Sequence, residues 1–379
     1  MDFCKAGYVA TYPAFFMTVF RRSFGRQRTW YLMHFIPQCP FLARLPYFLL
    51  LLTGHVAYGQ KVAEPTPATS TGPVTWLTGD PADVATPTTS GMLLAGGSTD
   101  VDEAMRWFLR KSGGGDVVIL RASGADGYNT YLHTTLGVPV NSVETILLNS
   151  TEWVNDERVA QTIRNAEALF IAGGDQGKYV RFWKDSKVEE AINYLIKTKK
   201  VPVGGTSAGC AILGPIYYPA FKESLTTAEA LADPYHANLM LGRNDFIDAP
   251  FLTNTITDTH VAERNRQGRL VAFLARARTD WHLNARGIGI SEKTAVGLEP
   301  TGMAHVFGQG VAYFMTPANS DKPEQCTAGK PLVWLAGKKA IRVVEIRNPG
   351  TFNLKTWTVP TGGQVTYWYV ADGVLQMQL

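Results

Sequence analysis

The sequence predicts an α/β fold, a doubly wound and mostly parallel sheet with helices on both faces, followed by a β-rich C-terminal extension. Three observations predict it. Short apolar runs alternate with segments of helical spacing from Gly91 to about residue 200, which is typical of parallel strands covered on both faces. Two of these runs end in paired glycines that open a helix, Gly173-Gly174 and Gly204-Gly205. From about Gly287 the helical spacing almost disappears, and short strands separated by turn residues replace it.

The elements of the α/β part follow from these apolar patterns. Five runs rich in Val, Ile and Leu predict buried strands at Met92–Ala95, Asp116–Leu120, Val143–Leu148, Ala168–Ala172 and Val201–Gly204. Five stretches with helical spacing lie between them, at Asp102–Lys111, Tyr128–Leu136, Glu157–Asn165, Lys178–Lys184 and Val188–Lys197. Ligands of doubly wound sheets bind at the carboxyl ends of the strands, so we expect the functional site there.

The C-terminal part predicts strands only. Six short runs carry the pattern, at Ile288–Ile290, Thr294–Leu298, Ala304–Phe307, Val311–Phe314, Ile341–Ile346 and Val365–Tyr369. They either extend the sheet or pack beside it as a small antiparallel layer. We therefore divide the chain into a catalytic α/β domain at 91–300 and a β-rich extension at 301–379.

The positive charge of the chain lies at its front end. The 379 residues carry a formal net charge of +4, but residues 1–59 contain six basic residues against the single acid Asp2. Residues 60–379 then hold 30 bases and 31 acids, a net charge of −1. Nucleic acid is disfavoured as a partner, because a protein that binds it needs a wider basic surface.

The front end has the layout of a secretory signal peptide. Arg44 precedes the apolar run 45–52, and the small residues Ala57-Tyr58-Gly59 supply a cleavage site. We expect a leader at 1–59 with the signal peptide at 33–59, translation starting at Met33, and a secreted or periplasmic protein. Because the apolar run is too short for a transmembrane helix, no stable membrane anchor is expected, although an uncleaved anchor is the alternative. Residues 60–90 are rich in Pro, Thr and Ser, and they predict a linker before order begins at Gly91.

Four cysteines allow little covalent stabilisation. Cys4 and Cys39 belong to the leader, so Cys210 and Cys326 could form one disulfide at most. Cys210 is expected to be a small buried residue rather than a reactive one. Because the sequence has no CxxC or similar ligand spacing, it predicts no metal. Because neither Gly96-Gly97-Ser98 nor Gly173-Gly174 matches GxGxxG or the P-loop pattern, it implies no organic cofactor either.

The segment Gly204-Gly205-Thr206-Ser207-Ala208-Gly209 is the sharpest motif. It follows a predicted strand and precedes a helix, which is the context that a GxSxG nucleophile elbow requires. Ser207 is then a candidate nucleophile, and the Ala208 N–H a candidate oxyanion donor. The alternative is an ordinary glycine-rich turn.

A second strand end, Gly173-Gly174-Asp175-Gln176, opens another helix on the same edge of the sheet. Its backbone N–H groups at Gly174 and Asp175 could complete an oxyanion hole, and Gln176 could bind substrate. The alternative is a plain strand-to-helix turn with Asp175 as the helix N-cap.

His260 is the candidate base for the serine. It follows Asp258-Thr259 and precedes Arg264, Arg266 and Arg269, whose guanidinium groups suit a carboxylate ligand. If a helix starts near His260, the side chains of Glu263 and Arg264 lie on the same helix face as His260. The alternative for the arginines is a solvated basic helix face.

These segments together resemble the cyanophycinases, in matching order between Gly91 and Leu298. The motifs that carry the resemblance are Gly204–Gly209, Gly173–Gln176, Asp258–His260 with Glu263–Leu270, and Gly287–Ala295. Cyanophycinases are serine exopeptidases related to aspartyl dipeptidases, with a fold similar to class I glutamine amidotransferases. They degrade cyanophycin, a polyaspartate with arginine on each side chain, to β-aspartyl-arginine dipeptides. This resemblance implies a serine exopeptidase acting on cyanophycin, and the leader adds the expectation that it is exported. A homodimer is an assembly that we leave open.

The resemblance also implies roles for individual residues. Ser207 becomes the nucleophile and His260 the general base. The substrate pocket would be formed by six residues, Gln176, Asp258, Thr259, Arg264, Arg266 and Arg269. Thr259 and Glu263 stand where glutamines are common in the family, and extra residues lie between Leu270 and Gly287. These departures concern substrate specificity rather than the hydrolytic chemistry.

The acid that orients His260 has two candidates. We prefer Glu292, which follows a predicted strand, over Glu223, which stands between the serine and the histidine as the acid does in aspartyl dipeptidases. Two other functions stay open at this point. One is a peptidase of the same fold acting on other aspartyl or acidic peptides, and the other is a non-catalytic protein that binds an amino acid.

Overall fold

The computed structural model describes residues 72–378. Their strands are β1 (Val74–Gly79), β2 (Gly91–Ala95), β3 (Asp116–Arg121), β4 (Ser142–Leu147), β5 (Ala168–Ile171), β6 (Pro202–Thr206), β7 (Ile216–Tyr217), β8 (Gly242–Arg243), β9 (Thr255–Thr259), β10 (Arg286–Ile290), β11 (Thr294–Leu298), β12 (Met303–Gly308), β13 (Ala312–Pro317), β14 (Ile341–Asn353), β15 (Thr358–Ala371) and β16 (Val374–Gln378). The predicted leader and its signal peptide lie outside the described residues. No helix among residues 72–378 is long and apolar enough to cross a membrane.

The helices fill the connections between the strands. They are α1 (Asp102–Arg110), α2 (Glu157–Asn165), α3 (Gln176–Trp183), α4 (Lys187–Tyr194), α5 (Ala208–Ala211), α6 (Thr227–Ala232) and α7 (Gln267–Trp281). Single turns of π-helix occur at Tyr131–Thr135 and Leu195–Lys199, and 3₁₀ turns at Pro250–Leu252 and Ala336–Lys338. The predicted helices lie within a few residues of these bounds, except that only a π-turn stands within 128–136.

One half of the sheet is parallel. Strands β4, β3, β5, β6 and β2 pair side by side in that order, all parallel. Their side chains are buried on both faces. On β5, Ile171 packs with Trp183 of α3, whereas Phe170 packs with Phe108 of α1 on the opposite face. The predicted doubly wound α/β class is therefore confirmed, because helices cover both faces of parallel strands.

The other half of the sheet is mixed. From β2 the order continues through β11, β12, β14 and β13, each antiparallel to its neighbour, to β10, β9 and β7, which run parallel to one another. Beyond the path, β15 pairs with β14 and β16 with β15, which is the β-rich extension that the sequence predicts. These late strands extend the sheet. Strand pairing in the sheet continues across residue 300, because β11 pairs with β12. The predicted domain boundary at residue 300 stays a prediction.

The sheet must curl to bring β10 and β11 together. They are joined by only three residues, 291–293, yet β12, β14 and β13 lie between them in the sheet. Four strand spacings measure about 19 Å in a flat sheet. Four backbone steps reach at most about 14 Å, so a flat sheet could not be connected in this way. The curled sheet places the 291–293 loop beside the ends of β2 and β9.

Regular structure begins earlier than the sequence analysis expects. Strand β1 lies inside the predicted linker and pairs antiparallel with β4 along its whole length. Its pattern escapes prediction because it is an edge strand with mostly exposed side chains, including Val74 and Leu77. Backbone pairing with β4, rather than burial of an apolar face, holds it in place.

Candidate active site

Ser207 stands at a sharp turn between β6 and α5. Its backbone has φ 53° and ψ −119°, a strained conformation for a residue with a side chain. The turn is tight because glycines line it: a Cβ on Gly205 would lie 2.6 Å from the Gly209 carbonyl carbon, and one on Gly209 only 2.2 Å from Ile171 O. The Ser207 N–H donates to Ala95 O of β2 at 3.0 Å. These contacts give the geometry of a nucleophile elbow.

His260 follows β9 and meets the serine across the ends of β2 and β6. Its Nε2 lies 2.7 Å from Ser207 Oγ. The residue is buried and has φ 51°, and its backbone N–H donates to Gly96 O at 3.0 Å. Positive φ at His260 and at Asn265 is incompatible with helix, so residues 261–265 form turns and α7 begins only at Gln267. The expectation of a helix starting near His260 is therefore wrong.

Glu292 completes the chain of hydrogen bonds. Its Oε1 lies 2.7 Å from His260 Nδ1, and the Arg264 guanidinium Nε is 4.0 Å from the same oxygen. The rival acid Glu223 is exposed, and its backbone oxygen accepts a hydrogen bond from the Tyr218 hydroxyl. In residues 72–378, then, Glu292 and not Glu223 is the carboxylate placed against His260.

The environment tunes both partners of this pair. Burial lowers the pKa of His260 below its usual value, and the hydrogen bond to Glu292 opposes part of that shift. The same hydrogen bond lowers the pKa of Glu292, with a further contribution from the Ser98 side chain. Histidine is therefore neutral and able to accept a proton from Ser207 at neutral pH, while Glu292 is ionised.

The paired glycines after β5 lie directly beside the serine. A Cβ on Gly173 would stand 3.4 Å from Ser207 Cβ, so the backbone of this loop approaches the nucleophile closely. Asp175 accepts from the backbone N–H groups of Gly177 and Lys178, and it caps α3 as the alternative interpretation states. Gln176 donates to Tyr218 O at 3.5 Å. The predicted oxyanion role of the Gly174 and Asp175 N–H groups stays a prediction, as does that of Ala208, which is buried next to Ser207.

Asp258 and Arg269 form a buried ion pair. Two guanidinium nitrogens of Arg269 contact the two carboxylate oxygens of Asp258, at 2.8 and 2.5 Å. The Asp258 side chain is only 4% exposed and the Arg269 side chain only 1%. Arg269 also donates to Ser224 Oγ and to Leu225 O. These contacts occupy both groups and connect β9, α7 and the 224–225 segment, while the predicted substrate-binding roles of Asp258 and Arg269 stay a prediction.

Of the other residues predicted to line the substrate pocket, Arg266 and Thr259 are buried and Arg264 is exposed. Arg266 donates to Thr259 O and to Ser224 Oγ, and burial lowers its pKa to about 10. Thr259 is itself buried at the end of β9. Arg264 is exposed and lies closest to the Ser207–His260–Glu292 group. The solvated-face alternative is therefore wrong for Arg266 and Arg269, which are buried, whereas Arg264 is exposed to solvent where a ligand could reach it.

Two parts of the site escape sequence reasoning. The Gly96-Gly97-Ser98 turn after β2 packs on the catalytic group, since a Cβ on Gly97 would lie 2.4 Å from His260 Cε1. Glu263 accepts the backbone N–H of Glu292 at 2.9 Å. The glycine pair after a buried strand was the available signal for the first. The contact between Glu263 and Glu292 joins two segments 29 residues apart, so no local sequence pattern predicts it.

Other chemistry near the site is limited. Cys210 is fully buried, as predicted, and burial raises the pKa of its thiol. Cys210 and Cys326 are both free cysteines, so the possible disulfide is not formed in residues 72–378. Within the described chain, no group of three or more His, Cys, Asp or Glu side chains could hold a metal ion. The group at the strand ends is the one with an activated side chain: a serine bonded to a histidine that is bonded to a carboxylate.

An α/β sheet with this group at its strand ends defines the class of serine hydrolases that form a covalent acyl intermediate. Residues 92–304 match the sequence profile of peptidase family S51, which is more than half of the chain. The chain belongs to that family, and it is a serine-type peptidase. The predicted resemblance and enzyme class are confirmed, and the interpretation as a non-catalytic binding protein is dropped.

The chain is also similar to individual named proteins. The chain is 25% identical over 238 residues to the cyanophycinases of Trichormus variabilis and of a Nostoc species, covering 61% of this chain and 74% of theirs. It is 25% identical over 229 residues to that of Geminocystis herdmanii, covering 58% of this chain and 78% of the relative. Among solved structures, a peptidase from an acI-B1 Actinobacterium gives a TM-score of 0.41 at 15% identity, over 60% of this chain and 91% of that one. A putative peptidase E protein from Listeria monocytogenes gives 0.39 at 17% identity, over 59% and 100%.

Proposed function

We propose that this protein is an exported serine exopeptidase that hydrolyses cyanophycin to β-aspartyl-arginine dipeptides. The observation that carries the proposal is the hydrogen-bonded series Ser207, His260 and Glu292, with two contacts of 2.7 Å, at a nucleophile elbow. The similarity to cyanophycinases supports the choice of substrate.

The reaction begins with proton transfer to the histidine. His260 Nε2 takes the Ser207 hydroxyl proton while the oxygen attacks the scissile carbonyl carbon. Glu292 holds His260 Nδ1 in the protonated tautomer and stabilises the imidazolium that forms. The N–H groups of Ala208 and of the Gly174-Asp175 turn are proposed to bind the oxyanion. His260 then gives its proton to the leaving amine, and water hydrolyses the acyl-serine by the same steps in reverse.

Charge around the serine suits an acidic substrate. Arg264 is exposed beside Glu292, and a guanidinium binds carboxylates of a polyaspartate backbone. Gln176 at the start of α3 is a further candidate contact.

A second candidate function has a specific observation behind it. Asp258, the acid expected to meet the arginine side chain of cyanophycin, is instead paired with Arg269. Thr259 and Glu263 also stand in place of the usual glutamines. A peptidase of the same mechanism acting on other aspartyl or acidic peptides is therefore the alternative. The proposal of export depends on the leader sequence alone, and sequencing the N-terminus of the mature protein tests it: a mature chain that still carries residues 1–32 would reject the predicted start.

Incubation with insoluble cyanophycin granules tests the substrate. We expect the release of β-aspartyl-arginine, detected by mass spectrometry, and no release by Ser207→Ala. Cleavage of small aspartyl peptides without release of the dipeptide would reject cyanophycin and favour the alternative. Labelling of the wild type, but not of Ser207→Ala, by a fluorophosphonate probe tests the nucleophile independently of any substrate.

A further inference from the structure

The loop that carries Glu292 is held through three consecutive backbone N–H groups. Ser291 N–H donates to Val311 O at 3.0 Å, and Lys293 N–H donates to Gly97 O at 3.1 Å. Between them, the Glu292 N–H donates to Glu263 Oε2 at 2.9 Å. The outer two acceptors are main-chain carbonyls, which any sequence supplies. The central acceptor is a side chain, so this contact depends on the residue at position 263.

Glu263 belongs to the same turn as His260. Residues 260–265 therefore contact Glu292 three times: the His260 ring meets the carboxylate at 2.7 Å, the Arg264 guanidinium lies 4.0 Å from the same oxygen, and Glu263 accepts the backbone N–H of Glu292. The contacts of His260 and Glu263 act at its two ends. These two contacts fix both ends of Glu292 relative to one turn. A carboxylate that accepts a backbone N–H makes a charge-assisted hydrogen bond, which is stronger than one between neutral groups.

The loop needs such a contact to keep its shape. Lys293 has φ 53°, a conformation that a lysine adopts at an energetic cost, and Glu292 is a quarter exposed rather than enclosed by packing. If Glu263 is removed, the Glu292 N–H loses its partner and the loop can relax. The carboxylate would then move relative to His260 Nδ1.

We propose that Glu263 is a positioning residue of this enzyme: its carboxylate fixes the 291–293 loop so that Glu292 stays hydrogen-bonded to His260. Glu263 touches no reacting atom and acts through Glu292. The inference rests on the catalytic group given under Proposed function. It also assigns a use to one of the two positions where this chain departs from the common glutamine, since a glutamine carbonyl oxygen could accept the same N–H.

Three substitutions of Glu263 separate the effect of its side-chain length from the effect of its charge. Glu263→Gln keeps an acceptor oxygen at the same reach and loses the charge. Glu263→Asp keeps the charge and shortens the side chain by one methylene, which takes the acceptor out of reach. Glu263→Leu removes the acceptor. Glu190→Leu on α4 is the matched control, because Glu190 is exposed and distant in the chain from the site.

The readouts are turnover, the rate of fluorophosphonate labelling of Ser207, and the far-downfield proton resonance of His260 Nδ1–H. For Glu263→Leu and Glu263→Asp we expect kcat and the labelling rate to fall roughly 10- to 100-fold, the size of one hydrogen bond to a charged acceptor. KM should change little, and the downfield resonance should weaken or disappear. Glu263→Gln keeps a neutral acceptor at the same reach, so it should retain most of all three readouts, with turnover within about tenfold of the wild type and above that of Glu263→Asp, and Glu190→Leu should leave them unchanged.

Three outcomes would overturn the inference. They are wild-type turnover in Glu263→Asp, a loss in Glu263→Asp that Glu263→Gln does not reverse, and lost turnover with an unchanged downfield resonance. The Asp and Gln variants keep the test valid if Glu263→Leu does not fold. An active Ser207→Ala would instead reject the proposed nucleophile, whereas an inactive Ser207→Ala beside a fully active Glu263→Asp would reject this inference alone.

Discussion

Replacing Glu292 by glutamine removes the negative charge that stabilises the His260 imidazolium in the transition state. The two groups are 2.7 Å apart in the structure. At an effective dielectric constant of about 20, unit charges at that separation interact by about 6 kcal/mol. Glu292 is a quarter exposed, and Arg264 lies 4.0 Å away, so part of this interaction is screened. We therefore expect kcat to fall roughly 10³- to 10⁴-fold, about 4 to 5.5 kcal/mol, close to the loss in a reference triad.

Glu223→Gln is the matched comparison for this prediction. Glu223 is exposed and its carboxylate does not contact His260 within residues 72–378, so its amide variant should retain activity within a few-fold of the wild type. Both variants should unfold at the wild-type temperature, because neither change removes buried apolar contacts. Dipeptide release from cyanophycin and the rate of fluorophosphonate labelling measure the effect. The reasoning fails if Glu292→Gln stays within tenfold of the wild type, or if Glu223→Gln loses as much activity.

Three further predictions concern the same region. Because burial lowers the pKa of His260, the histidine stays neutral to lower pH than a free imidazole; kcat/KM should hold below pH 6.5 and decline only as pH falls through that lowered pKa, and an acid limb centred above pH 7 would contradict it. Asp258→Ala leaves the Arg269 guanidinium buried without its partner, and urea unfolding should show a loss of about 3 to 5 kcal/mol. Replacing both residues by apolar ones should cost less, and equal losses would argue against the ion pair. Gly205→Ala places a Cβ 2.6 Å from the Gly209 backbone, so thermal unfolding should show about 1 to 3 kcal/mol of destabilisation together with lost activity; a stable, active variant would show that the turn can relax.

Local sequence patterns predict most of the fold but only part of the site. The buried strands carry continuous apolar runs bounded by turn residues, and a strand followed by glycines and serine identifies Ser207. By contrast, most side chains of β1 are exposed, and the strand is held by its backbone pairing with β4. Its sequence therefore looks like that of a linker.

Contacts between distant segments account for what sequence could not predict. The sequence analysis prefers Glu292 to Glu223, but only the fold shows that the 291–293 loop brings its carboxylate to His260 Nδ1. Asp258 is a second example. In the sequence it is an acid near a candidate base and looks available for substrate, but in the fold α7 brings Arg269 into contact with it. The sequence shows which side chains could react or bind, whereas the packing of the fold decides which of them already have a partner within the protein.

The curled sheet has a consequence for how short this peptidase can be made. The family match ends at residue 304, yet β10 and β11, which flank Glu292, pair with β13 and β12 on the side away from β9 and β2. A chain cut at residue 304 would lose β13, β14 and most of β12. Two interior strands would then become open edges, with unpaired N–H and C=O groups available to other copies. Such a fragment would tend to self-associate, and the smallest soluble unit of the enzyme extends well past the part that defines its family.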